Sequence, residues 1–302
     1  MKSIDVVILT DKRYIHPVAN NEYVNNAILE DQILQEALEK EDLKVKRLPW
    51  DDADFNWNTT RYIIFRSTWD YSNRFEEFST WLSKVSQQTI LVNSQKIIHW
   101  NIDKHYLLDI AKKEVEIVPT HFIKQGDERT LEEIHNELGW TETVLKPCIS
   151  CAGRHTYKLD AQNYEQYETL FTELIADEDM MLQPFMHQII SKGEISVMVM
   201  NGKYTHAILK KAKKGDFRVQ DDFGGSVHEY NASKAEIELA EKAVQACIEL
   251  PMYARVDIVW DNQDQLAVSE LELIEPELWF RFHNDAATQL AKALKAQLLL
   301  LS

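Results

Sequence analysis

The chain is predicted to be an α/β (α+β) protein of more than one domain, on three observations. Short apolar strands alternate with helical segments through the first 92 residues. An Asn-Gly pair at 201–202 separates two alternating apolar runs. Two further apolar runs within 252–274 carry acidic residues at spacings that place them on one sheet face. At 302 residues the chain exceeds the usual single domain and can bury a large core.

The elements follow from periodicity and punctuation. Residues 5–10 read as a buried strand, and 25–42 as a helix with Leu34, Ala37 and Leu38 on one face. Residues 43–48 alternate as a strand until Pro49, and 62–65 form another buried strand followed by RSTWDY at 66–71. A helix over 75–85 and a boundary near 91–94 close the first unit. Then come a helix at 103–113, a strand ending near Pro119, a helix over 131–138 and a strand over 143–147 stopped by Pro147. Residues 163–176 read as a helix and 180–185 as an extended apolar segment. The runs 194–200 and 203–210 form a hairpin, because Asn-Gly readily adopts a primed turn. A loop at 211–229, a helix at 232–248, the acidic strand pair and a helix over 284–300 complete the chain. The expected domains are 1–92, 93–186 and 187–302.

Composition is ordinary for a globular protein, with 45% hydrophobic and 27% charged residues. A net charge of −16 disfavours nucleic-acid or anionic-membrane partners, which need clustered Lys and Arg. It leaves room for a small anion in a locally basic cleft. The first apolar run, 6–9, is too short for a signal-peptide core, and no stretch approaches the ~20 apolar residues of a membrane helix. A cytoplasmic protein is expected, and a homo-oligomer is left open.

Asp257 lies in one apolar run, while Glu270 and Glu272 lie two residues apart in the next. Strand side chains alternate faces, so pairing through the turn at 261–264 brings the three carboxylates to one patch. Such carboxylates repel one another and need a cation. Hard oxygen ligands suit magnesium, which takes further ligands from substrate phosphates. Glu275 has the opposite parity and reads, with Pro276, as the strand's end.

Ligands of open α/β sheets bind beyond the carboxyl ends of strands, so Arg66, Ser67, Thr68 and Asp70 are candidates for substrate recognition. Trp69 and Tyr71 read equally well as packing residues. Lys146, ending an apolar strand before proline, either snorkels or is aimed at an anion. Lys104 reads on its own as an exposed helix lysine. Residues 210–215 and Arg218 form the one dense basic cluster. Cys148 and Cys151, with His155, admit a redox or zinc reading. A structural zinc site needs four ligands, and Cys247 is isolated, so small residues in a loop is the favoured reading.

The order of RSTWDY at 66–71, WNIDKHYLLD at 100–109, VLKP at 144–147 and ELELIEP at 270–276 resembles the ATP-grasp superfamily, and MLQPFM at 181–186 matches its adenine hinge. The likeness is to its glutathione-synthetase-like branch, and most of all to the ligases that close O-ureido-serine into D-cycloserine. That resemblance implies an ATP-grasp fold with an N-terminal open α/β domain, a small lid domain and a C-terminal sheet-containing domain. It implies ATP and Mg2+ as cofactors, two ions with Mn2+ able to stand in. It implies that Lys104 and Lys146 reach ATP phosphates, with Ser150 and Gly153 in a loop closing over them. Gln183, Pro184, Phe185 and Met186 would form the adenine hinge, Glu194 would accept ribose hydroxyls, and Lys210 and Arg218 would face the γ-phosphate and substrate carboxylate. Asp257, Glu270 and Glu272 match the metal ligands; many members carry Asn at the last position, so Glu272 adds charge that two divalent ions offset. The implied activity is a Mg-ATP-dependent carboxylate–amine ligase working through an acyl phosphate on an amino-acid-like small molecule. A non-catalytic nucleotide-binding or sensor protein of the same fold is the alternative.

Overall fold

The computed structural model describes residues 2–18, 21–150, 153–213, 215–216, 218–219 and 224–300. Strands β1 (Ile4–Thr10), β2 (Val45–Pro49), β3 (Thr60–Phe65) and β4 (Ile90–Val92) form a parallel sheet in the order β2-β1-β3-β4. Parallel strands need crossovers, supplied by α1 (Glu22–Lys40) and α2 (Phe75–Val85). Asn21 starts α1 by accepting the Val24 N–H. Both sheet faces are covered, which is why these strands read as unbroken apolar runs. Val6 and Ile8 pack towards Leu34 and Leu38 of α1, whereas Val7 and Leu9 pack with Trp50, Phe78 and Leu82.

Where one helix at 103–113 was expected, the chain forms α3 (Gln95–Ile102) and α4 (Tyr106–Ala111). Ser94 caps α3, and the Asp103 carboxylate accepts the His105 N–H at 3.0 Å, a local side-chain turn that interrupts the helix. Lys104 sits in that interruption. A second sheet follows, antiparallel in the order β5-β8-β6-β7, from β5 (His121–Ile123), β6 (Glu142–Pro147), β7 (Tyr157–Asp160) and β8 (Met180–Pro184). Helices α5 (Leu131–Leu138) and α6 (Tyr164–Asp177) cover one of its faces around Leu145, Phe171 and Leu182. Strand β7 was not anticipated, being four residues of mixed polarity.

After the short α7 (Gln188–Ser191) come β9 (Glu194–Met200), β10 (Lys203–Lys211) and β11 (Ser226–Tyr230). Helix α8 (Lys234–Gln245), β12 (Tyr253–Trp260), β13 (Leu266–Glu272) and α9 (Asn284–Leu300) complete the chain. The third sheet is antiparallel in the order β11-β10-β9-β12-β13. Asn201 and Gly202 both have positive φ, 49° and 78°, as the primed hairpin turn requires. Strand β11, in the expected loop at 211–229, is largely exposed and carries no apolar signal.

The two faces of this sheet have different fates. Val197, Val199, Ala254, Val256 and Ile258 pack on α3, α4 and α8. On the opposite face Met198, Met200, Ile208 and Tyr253 pack against α9, which also lies against α1. Further along that face the apolar residues give way to Glu194, Ser196, Lys210, Arg255 and Asp257. Among the described residues, no helix is long and apolar enough to cross a membrane.

A buried ion pair ties the first sheet to the segment after β13. Arg66 Nη2 lies 3.2 Å from Glu30 Oε1 and donates to the Pro276 carbonyl at 2.8 Å. Glu30 also accepts the N–H groups of Leu278 (2.8 Å) and Phe280 (2.9 Å). Removing one partner of such a pair leaves the other charge buried and uncompensated. Arg66→Ala is therefore expected to lower unfolding free energy by about 3–5 kcal/mol, read from urea unfolding of the parent and variant. A change below about 1 kcal/mol would show that the pair does not hold the segment.

Candidate active site

The floor of the site is one row across four strands. Lys210 on β10 stands opposite Glu194 on β9, and Asp257 on β12 stands opposite Ser196 on β9 and Glu270 on β13. Arg255, two residues before Asp257, stands opposite Glu272. The β12–β13 register shifts between Asp257 and Ile258, leaving Ser269 as an extra residue. Such bulges re-aim side chains beside active sites. Here Ser269 Oγ reaches Glu194 Oε2 at 3.1 Å.

Every carboxylate in the row has a cation. Lys210 Nζ lies 2.5 Å from Glu194 and 3.2 Å from Asp257. Arg255 bonds both Asp257, at 2.9 Å, and Glu272. Lys104 Nζ lies 3.1 Å from Glu270 and donates to the Ser150 carbonyl at 2.6 Å. Burial opposes ionisation of Asp257, but Arg255 and Lys210 outweigh it and pull its pKa down to about 2. Glu272 goes the other way. Burial, reinforced by Glu270 and Asp257, pushes it up to about 8 against the pull of Arg255. Three carboxylates crowded here cannot all stay ionised cheaply on the protein's cations alone, and an all-oxygen set of this kind fits a hard divalent ion.

The position of Lys104 follows from the sheet edge. β13 is an edge strand whose outward backbone groups need partners. Asn101 donates to Leu271 O and accepts Leu273 N–H, while Tyr106 Oη accepts Leu271 N–H. Lys104 lies between these two anchors and so is carried over Glu270. Lys146 arrives from the second sheet. Leu145 faces the α5/α6 core, so Val144 and Lys146 face the cleft, and Gln183 is paired opposite Val144. The Lys146 side chain makes no hydrogen bond or ion pair among the described residues. Burial lowers its pKa, partly offset by Glu270. An ammonium held in that state is suited to an incoming anion.

These elements enclose a cleft of about 320 Å³, within the size range of small-molecule sites. Lys104, Lys146, Ser150, Gly153, Gln183, Pro184, Phe185, Met186 and Glu194 all line it, as do Lys210, Arg218, Asp257, Glu270 and Glu272. Gln183 is fixed by donating to Thr120 Oγ1 at 2.9 Å. Arg218 is braced by Asp216. Both Glu194 oxygens are engaged, by Lys210 and Ser269, so a ribose hydroxyl would have to share them.

The four first-domain candidates are not brought to the cleft. Arg66 is spent on Glu30, and Ser67 on Asp31 (2.6 Å) and Thr10 (2.7 Å). Thr68 is fully buried, and Asp70 accepts the Trp50 indole N–H and pairs with Arg74. Their neighbours Trp69 and Tyr71 line the cleft instead. Glu275 also lines it, contrary to the parity expectation: β13 ends at Glu272, and strand alternation stops there. Arg255 and Trp279 were missed. An arginine amid an apolar strand, two residues from a proposed ligand, was the available signal for Arg255.

Cys151 lies outside the described residues. Burial raises the Cys148 thiol well above its ordinary pKa, the reverse of what redox or metal chemistry needs. Among the described residues, the metal-ligand-type group that contains Cys148 is completed by Asp103 and His105 and does not include His155.

Two family models match the sequence: the D-cycloserine synthetase DcsG N-terminal domain over residues 6–93, and the RimK-like ATP-grasp domain over residues 102–297. The cycloserine biosynthesis protein DcsG of Streptomyces lavendulae is 28% identical over 265 residues, 82% of this chain and 87% of that protein. The crystal structure of D-cycloserine synthetase DcsG matches with a TM-score of 0.83 at 26% identity, covering 97% of this chain and 99% of that one. D-alanine–D-alanine ligase from Bacillus anthracis matches at 0.65 and 13% identity, over 99% and 98% of the two chains, a likeness of fold alone. The second family model spans well over half of the sequence, and the chain belongs to the RimK-like ATP-grasp family.

Proposed function

We propose that this ATP-dependent ligase joins a carboxylate to an amine, through an acyl phosphate, on an amino-acid-like small molecule in the cytoplasm. The carrying observation is the charge balance of the cleft. Lys104, Lys210 and Arg255 are each ion-paired with carboxylates of the row, which leaves Lys146 as the one cation among these four without an ion pair among the described residues. A polyanionic nucleotide entering such a site needs further positive charge, and the all-oxygen set Asp257, Glu270 and Glu272 is where divalent ions would be held. Bound there, Mg2+ would neutralise phosphate oxygens and help to orient them.

The chain's own residues then divide the work. Lys146, whose side chain has no ion pair among the described residues, and Lys104, which would exchange Glu270 for phosphate if that carboxylate held a metal ion, would bind phosphate oxygens. The apolar hinge at Pro184, Phe185 and Met186 sandwiches the base, with Gln183 as a polar reader. Lys210 and Arg218 orient the terminal phosphoryl group and the substrate carboxylate in line. Arg255, held between Asp257 and Glu272, keeps a fixed guanidinium in the cleft wall that would stabilise negative charge developing nearby. The amine displaces phosphate, and no protein nucleophile is required. The match to the cycloserine-forming relative over most of both chains supports O-ureido-serine cyclisation as one such ligation.

Three measurements test this reading. ADP release with an amino-acid panel, run with hydroxylamine, is expected to yield a hydroxamate; substrate-stimulated ADP release with neither hydroxamate nor amide would end the acyl-phosphate proposal. Lys146→Ala is expected to weaken ATP binding roughly 10- to 100-fold, the scale of a lost charge-assisted contact, by calorimetry. Unchanged affinity would take Lys146 out of the nucleotide site. Glu270→Gln is expected to lower kcat by a factor on the order of 100 or more and to move the Mg2+ titration to higher concentration. A titration that overlays the parent's would remove Glu270 from the metal site.

A further inference from the structure

The cleft continues past the carboxylate row into a chamber walled by Tyr23, Trp69 and Tyr71 of the first domain and by Glu275 and Trp279 of the segment after β13. Of these, Tyr23, Trp69, Tyr71 and Glu275 touch one another. Trp69 Nε1 donates to the Glu275 carbonyl at 2.9 Å, the Tyr71 hydroxyl bonds the Glu275 carboxylate, and the rings of Tyr23 and Trp69 lie 5.8 Å apart.

Charge in this chamber differs from charge along the row. Glu275 has no ion pair among the described residues, whereas Glu194, Asp257, Glu270 and Glu272 each have one. Its neighbour Glu277 is spent on Arg281. The nearest cations, Lys104 and Arg255, are already bound to Glu270 and to Asp257 and Glu272. Burial accordingly lifts the Glu275 pKa to about 7, against the Tyr71 hydrogen bond. A carboxylate bordered by indole and phenol rings is a receptor for an ammonium group.

Trp279 supplies an independent observation. It is 3% exposed, yet it lines the chamber, and its indole Nε1–H has no hydrogen-bond partner among the described residues. A buried donor left unpaired costs free energy that a ligand acceptor can recover. Its backbone φ of 47° is an outlier for a bulky residue. Glu30 enforces that conformation by taking the N–H groups on either side, at Leu278 and Phe280. The strained residue is thereby held with its ring 5.1 Å from the Arg255 guanidinium.

We infer that Glu275 and Trp279 read the unblocked end of an amino-acid substrate, the Glu275 carboxylate taking a free ammonium group and the Trp279 indole N–H taking an oxygen of the same molecule. This rests on the ligase reading above and narrows it: the substrate is a free amino acid, and an N-acylated or des-amino analogue lacks the group the chamber selects.

The test separates binding from turnover. The full-length protein saturated with Mg2+ and AMP-PNP is titrated calorimetrically with free serine, cysteine, lysine and glutamate in both enantiomers, and with their N-acetyl derivatives. At least one free amino acid is expected to bind, and its N-acetyl form to bind roughly 10- to 100-fold more weakly. Glu275→Gln is expected to erase that preference, Glu275→Asp to restore part of it, and Trp279→Phe to weaken the free amino acid alone. In steady state Glu275→Gln should raise KM for the amino acid, with KM for ATP within about twofold of the parent. No binding by any free amino acid, equal binding of the N-acetyl forms, or an unaltered preference in Glu275→Gln would overturn the inference. So would a shifted Mg2+ titration with amino-acid binding intact, which would make Glu275 a metal ligand. Amino-acid binding without ADP release from any substrate would instead overturn the ligase reading and leave the chamber's specificity standing.

Discussion

Burying several charges on one sheet face is the constraint around which this molecule is arranged. An unpaired ion in a protein interior costs several kcal/mol, so each carboxylate of the row must keep a cation within reach or give up its charge. The paired register supplies most of this: Lys210 opposes Glu194, and Arg255 opposes Glu272, on adjacent strands. The remaining cation, on Glu270, comes from Lys104, outside the sheet. That in turn requires α3 and α4 to lie against the edge of β13, where Asn101 and Tyr106 satisfy its backbone. A structural need (protecting an edge) and a chemical one (a lysine over a carboxylate) are met by the same short interruption between two helices.

Such a network is rigid and also convertible. Its ion pairs hold the side chains near the places a polyanion and its metal would need. A divalent ion in place of a singly charged side chain on the same oxygens would add positive charge, which incoming phosphates would offset. Glu272 marks the weak point. Arg255 is shared between two carboxylates, so one of them is left poorly compensated, and burial places the deficit on Glu272 rather than Asp257. Asn at this position, as in many members of the superfamily, would remove that deficit; a glutamate there raises the demand for external positive charge.

Much of this was legible in the sequence, for identifiable reasons. Helices over 75–85 and 131–138 and the Asn201-Gly202 hairpin followed from periodicity and turn chemistry alone. Residues assigned by motif order fell together in one cleft because the motifs are strand ends and hinges, whose backbone geometry is local. Legibility failed where tertiary pairing decides. Arg66 occupies the right place at the end of β3, but Glu30, distant in sequence, has claimed it. Glu275 was set aside by a parity rule valid only while the chain remains a strand. The polar, four- and five-residue strands β7 and β11 depend on their partners for definition.

Arg66 couples the first sheet to the segment after β13. By binding Pro276 and sharing Glu30 with Leu278 and Phe280, it fixes the segment that presents Glu275 and Trp279. The same first-domain turn then places Trp69 and Tyr71 against that segment. The first domain thus contributes to the cleft through Tyr23, Trp69 and Tyr71 rather than through Arg66, Ser67, Thr68 and Asp70, which are buried or paired internally. The proposed nucleotide end of the cleft is assembled from the second and third sheets together with the α3–α4 interruption that carries Lys104. A change in the first domain can therefore remodel the substrate end through Trp69, Tyr71 and the 275–279 segment without disturbing the lysines and carboxylates of the row. In the proposed reading, that separation would keep the phosphate-binding lysines and carboxylates independent of the first-domain rings that border the substrate.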